Sequence, residues 1–148
     1  AGALLAAAGF THIDGADLSP EMREVASHLG VYKNLYHLDM TADYIPHIAD
    51  VVGGDDAIYE AVICVGVFGY GPPHVEDLPR IMDAARPGAP VLVTVNGKGW
   101  EKMGWDESLM PALDAAGVTL AARTCIRHME KERVYAELLD LRRGSSAG

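Results

Sequence analysis

Two acids stand where an α/β protein can use a carboxylate for binding. In DGADLSPEM, Asp17 ends an apolar segment and is followed by Ser19-Pro20, a helix cap and first-turn pair. In HLDMT, Asp39 ends the next such segment, with Met40 beside it. A strand-end carboxylate can accept two hydrogen bonds from a ribose diol. A second can accept from an adenine amino group, while a polarizable thioether covers the ring. Asp is also a favoured turn and capping residue, and taken alone each acid reads first that way.

These acids need strands to carry them, and strand and helix signals alternate along the chain. Residues 1–8 are rich in Ala and Leu and predict a helix. THIDGADL (11–18) predicts a strand, and Met22, Val25, Ala26 and Leu29 recur at helical spacing after it. NLYHLDM (34–40) predicts a second strand, and Ile45, Ile48 and Val52 a short helix over 42–52 before the turn Gly53-Gly54. AIYEAVICVGVF (57–68) and APVLVTVN (89–96) are continuous apolar runs of the kind buried on both faces of a parallel sheet. Between them, 75–85 predicts a helix with Pro79 near its first turn. GKGWEKMGWDE (97–107) reads as an irregular loop, and Ser108 as the cap of a helix reaching Ala116. Segments 118–128 and 132–143 predict two antiparallel strands. The expectation is one α/β domain over 1–143, a three-layer sandwich with a mostly parallel sheet and a C-terminal antiparallel pair. Residues 144–148 read as a flexible tail.

In such folds ligands bind at the C-terminal strand ends. That singles out Asp17, Leu18, Asp39, Met40, Cys64 to Tyr70 and Asn96 to Trp100. His74, just after GYGPP, is a candidate base or substrate contact. His12, His28 and His37 read as structural or solvated, and His128 suggests no mechanism. Trp100 and Trp105 read as packing or lid residues before a stacking pair.

Composition narrows the classes. The 148 residues carry a formal charge of -9, which disfavours broad contact with nucleic-acid backbones or anionic membrane surfaces. No apolar run approaches the ~20 residues of a membrane span. Cys64 and Cys125 sit in apolar runs without metal-ligand spacing, and read as reduced core thiols of a cytoplasmic protein with no metal. The sequence holds no G-x-S-x-G, H-E-x-x-H or P-loop motif, which argues against those hydrolase, protease and nucleotidase classes.

The motifs then resemble a known family. DGADLSPEMREVA (14–26), LDMT (38–41), YEAVICVGVF (59–68) and RIMDAARPGAPVLVTVN (80–96) are similar, in that order, to segments of class I S-adenosylmethionine-dependent methyltransferases. The hairpin of 118–143 is similar to their final strand pair. The nearest flavour is the small-molecule-type group that includes the Williams–Beuren region protein. The resemblance implies a Rossmann-like fold, S-adenosylmethionine as cofactor and methyl transfer to a small-molecule acceptor. It also implies that Asp17 binds the ribose hydroxyls, that Leu18 and Met22 line the adenine side, and that Asp39 and Met40 contact adenine. Cys64, Val65 and Gly66 would border the methionine end, and Tyr70, His74 and Trp100 would face the acceptor, with Tyr70 and His74 as candidate catalytic groups. Within the 148 residues the family's glycine-rich first strand and loop have no counterpart. That predicts weak cofactor binding and an unpaired strand edge able to join a second copy. Two other readings stay open: a nicotinamide-dependent Rossmann oxidoreductase, and a non-catalytic binding module of methyltransferase shape.

Overall fold

A computed structural model of the chain describes residues 1–41, 59–129 and 134–144. The chain divides into two compact units, Ala1–Pro46 and His47–Gly148. The helix expected over 42–52, the Gly53-Gly54 turn and residues 145–148 of the tail lie outside the described residues.

The first unit runs α1 (Gly2–Ala7), β1 (Asp14–Asp17), α2 (Pro20–Ser27) and β2 (Asn34–His37). The two strands are parallel, with Asp14 opposite Asn34 and Asp17 opposite His37, so their C-terminal ends lie side by side. Asp14 fixes this register further, because its Oδ1 accepts from both the backbone N–H and Nδ2 of Asn34 at 3.0 Å. Ser19 caps α2 as its sequence suggests: its hydroxyl accepts from the Met22 N–H at 3.2 Å and donates to Glu21 at 2.8 Å. That bond holds the Glu21 carboxyl below its ordinary range. The apolar side chains Met22, Val25 and Leu29 stay more than half exposed, so their helical spacing forms a helix without a buried face.

The second unit begins with β3 (Val62–Phe68) and a 3₁₀ turn (Val75–Asp77) leading into α3 (Leu78–Met82). It continues with β4 (Pro90–Asn96), α4 (Gly97–Lys102), α5 (Trp105–Ala115), β5 (Val118–Met129) and β6 (Val134–Arg143). Its sheet has the order β3-β4-β6-β5. β3 and β4 are parallel, while β6 is antiparallel to both neighbours. The sheet is therefore mixed, which corrects the expectation of a mostly parallel one. The cause is placement: β6, last in sequence, lies between β4 and β5. Its partner β5 is so near in sequence that only antiparallel pairing can join them.

The most deeply buried side chains of this unit are aliphatic. Val91, Val93 and Val95 of β4, Leu139 and Leu141 of β6, Leu78 and Leu113 are all 0% exposed. Cys125, expected in a core, is exposed on β5. β5 is an outer strand, and an apolar run there is not covered on both faces.

Two further segments differ from expectation. Pro79 holds the start of α3 at Leu78, so 75–77 form a 3₁₀ turn and the α-helix ends at Met82 rather than 85. The stretch 97–107 is mostly helical. Asn96 is the reason, since its Oδ1 accepts from the N–H groups of Lys98 and Gly99 at 3.0 and 3.2 Å. Ser108 is one turn inside α5 and donates back to the Gly104 carbonyl at 2.9 Å, so Gly104 precedes the helix. Among the described residues no helix is long and apolar enough to cross a membrane.

Candidate functional site

In the first unit the strand ends gather four of the residues singled out by sequence. Asp17 is exposed at the end of β1. Its Oδ1 accepts from the Ser19 N–H at 2.9 Å, which fixes the carboxylate in a tight turn. Its Oδ2 has no partner among the described residues. The Arg23 guanidinium donates to the carbonyls of Asp17 and Leu18 at 2.7 and 3.0 Å, pinning the loop from the helix side. Leu18 and Met22 are exposed by 53% and 56% and offer apolar surface next to this acid. Beyond β2, Asp39 accepts from the N–H and hydroxyl of Thr41 at 2.8 and 2.7 Å, with Met40 half-buried beside it. Arg23 and Thr41 position the two acids, and neither was singled out by sequence, because their partners are backbone and turn atoms.

The second unit holds a cavity of about 300 Å³ at the C-terminal ends of β3 and β4. The strands prepare it by an irregularity: Cys64 pairs with Val93 and Phe68 with Val95, so three residues of β3 face the single Thr94. Gly66 sits at the apex with φ +75°, a left-handed conformation that suits glycine, and its N–H donates to the Thr94 hydroxyl at 3.2 Å. The loop after β3, including Tyr70, forms one wall. Thr94, Asn96 and Ala136 form another. Among the described residues no acidic or basic side chain lines it.

Sequence reasoning reached this cavity through Gly66, Tyr70 and Asn96 by the strand-end rule. Thr94 and Ala136 were missed, since each lies inside a run that reads as core. Of the other candidates, Cys64 is buried beneath the bulge, and burial pushes its thiol up to about 11. Val65 is half exposed on β3 but lies outside the cavity lining. His74 is exposed at the start of the 3₁₀ turn, where its N–H donates to Asp77 at 2.8 Å, and it also lies outside the lining.

Trp100 faces the core, not the cavity. It is 3% exposed and packs against Trp105 at 5.5 Å, which in turn meets Phe68 edge-on at 5.7 Å. Arg123 covers its outer face, with the guanidinium 4.1 Å from the ring centre. The same guanidinium donates to Glu137 and Asp106, both at 2.9 Å. The buried indole N–H lacks a well-aligned acceptor. It still acts on Asp106: with Arg123 second, it holds that carboxyl below its ordinary range. Glu137 and Asp106 raise the Arg123 pKa in turn. Among the described residues no cluster of His, Cys, Asp or Glu could hold a metal ion.

No family model and no curated protein matches the chain. Solved structures do. An S-adenosylmethionine-dependent methyltransferase from Mesorhizobium loti superposes with a TM-score of 0.64 at 12% identity, over 95% of this chain and 84% of that one. One from Methanosarcina mazei gives 0.66 at 9% identity, over 96% and 86%. The cyclase SpnF gives 0.63 at 15% identity, over 97% and 71%. At such identities the likeness speaks to the backbone alone. The chain has the α/β fold of S-adenosylmethionine-dependent methyltransferases.

Proposed function

We propose that this chain transfers a methyl group from S-adenosylmethionine to a small-molecule acceptor. The observation that carries the reading is Asp17, an exposed carboxylate oriented by the Ser19 N–H at the end of a strand, within a methyltransferase-like fold. One oxygen is committed to the turn and the other is left for a diol, the arrangement a ribose requires. Leu18, Met22 and Met40 supply apolar surface for an adenine, and Asp39 an acceptor for its amino group. The bound cofactor would bring a sulfonium-activated methyl, so the protein's task is alignment rather than covalent chemistry. Tyr70 and the cavity it lines hold the acceptor. Two free cysteines, Cys64 and Cys125, are in keeping with a cytoplasmic setting.

The test is titration with S-adenosylhomocysteine, followed by amide NMR. With no glycine-rich loop in these residues, saturable binding weaker than about 100 μM is expected. Asp17→Asn keeps the turn but loses the charge and one acceptor. It should weaken binding roughly 30-fold, about 2 kcal/mol. An affinity unchanged in Asp17→Asn removes this residue from the site. A flat titration at millimolar ligand favours a second reading, a module of this shape with other chemistry or none. The cyclase among the similar structures supports keeping that reading.

A further inference from the structure

The cavity in the second unit has a chemical preference built into one side chain. Asn96 ends β4 and lines the cavity. Its Oδ1 already accepts from two backbone N–H groups, those of Lys98 and Gly99. Those donors require an oxygen, so the carboxamide cannot turn over, and its Nδ2 must take the opposite side. Nδ2 has no partner among the described residues, which leaves a fixed double donor. Tyr70 also lines the cavity, and the Lys102 ammonium lies 5.8 Å from the Tyr70 ring centre, bringing a positive charge to that wall.

The carboxylate next to the lining in sequence, Glu137 beside Ala136, is paired with the Arg123 guanidinium at 2.9 Å. Although the chain carries -9, no acidic side chain lines the cavity among the described residues, and more distant exposed carboxylates are screened beyond about 8 Å at physiological salt. Local donors therefore decide the preference. We propose that Asn96 is a specificity-determining residue whose Nδ2 binds a carboxylate oxygen of the methyl acceptor, so that the acceptor is a small carboxylic acid held against Asn96 and Tyr70. The cavity size, about 300 Å³, is at the lower end for small-molecule sites and suits one ring or a short chain. The identification of the ligand as an acceptor rests on the methyl-transfer reading. The carboxylate preference itself does not.

The test uses sodium benzoate as probe, with benzamide and benzyl alcohol as neutral analogues, titrated into the full chain and followed by amide NMR. Benzoate should shift the amides of Gly66, Gly69, Tyr70 and Gly71 saturably and bind at least tenfold more tightly than either analogue. Asn96→Asp retains the oxygen that caps α4, replaces the donor with a negative charge, and should weaken benzoate at least tenfold. Equal affinity for benzoate and benzyl alcohol, or benzoate binding unaffected by Asn96→Asp, overturns the proposal. The ligand series alone decides the matter should the variant fail to fold. S-adenosylhomocysteine titrated separately keeps the two ideas apart. Benzoate selectivity without cofactor binding leaves this site standing and sinks methyl transfer, whereas cofactor binding without benzoate selectivity does the reverse.

Discussion

A methyl group placed on Gly99 would sit 2.5 Å from the carbonyl oxygen of Gly69. Backbone meets backbone there: α4 presses on the loop that walls the cavity, and neither side has a flexible atom to give way. Gly99→Ala must push the helix or the loop outward. The expected loss is about 1–3 kcal/mol of stability in urea denaturation, as for other overpacked sites, together with shifted amides over residues 69–71. A variant as stable as the parent, with unmoved loop amides, would show that this contact is looser than it stands.

Arg123 ties three groups at once, and its removal should be felt although it is partly exposed. Its guanidinium stacks on Trp100 and bonds Asp106 and Glu137. Side-chain exposures of 39% for Arg123 and 66% for Asp106 discount the ion pairs through solvent screening. With the ring contact, Arg123→Ala is expected to cost about 1–2 kcal/mol. Arg123→Lys should recover little of it, because an ammonium cannot stack and bond both carboxylates with the same planar fork. Chemical denaturation of both variants measures the difference.

The two cysteines should separate cleanly by reactivity. Cys64 is buried, its thiol pushed up to about 11 by desolvation, so it stays protonated through pH 10. Cys125 is exposed on β5. Iodoacetamide at pH 8 should modify one thiol per native chain and none in Cys125→Ser. Above about pH 9 the unfolded chain ionises Cys64 while the native chain does not, so native stability falls between about pH 9 and 11. Alkylation of Cys64 in the native Cys125→Ser protein at pH 8 would contradict its burial.

Local rules made some elements legible and not others. The β-branched runs that became β3 and β4 read as strands because several consecutive residues agree. The Ser19-Pro20 cap was equally plain, since side chain and neighbour say the same thing. Helix α4 was not, because Gly97 and Gly99 read as breakers. The Asn96 cap and the burial of Trp100 outweigh their propensity. Likewise, Asp17 and Asp39 were visible as strand-end acids, and Asn96 fell within the strand-end stretch. Thr94 and Ala136 became cavity wall only through the bulge at Gly66 and the arrival of β6, which no local pattern encodes. The mixed sheet has the same origin: spacing tells which segments are strands, but their lateral order depends on packing between distant parts of the chain.

That lateral order separates the sequence of synthesis from the sequence of assembly. β5 leaves the ribosome before β6, yet its neighbour in the sheet is β6, and the edge of β4 beside it stays open until β6 arrives. Val91, Val93 and Val95 are made 44 to 50 residues before Leu139 and Leu141, which complete their layer. Until then the growing chain carries an aliphatic strand with one edge unpaired, the kind of surface that attracts chaperones and foreign strands. Closure of the second unit is thus a late event, set by the arrival of a wedge rather than by the addition of an end.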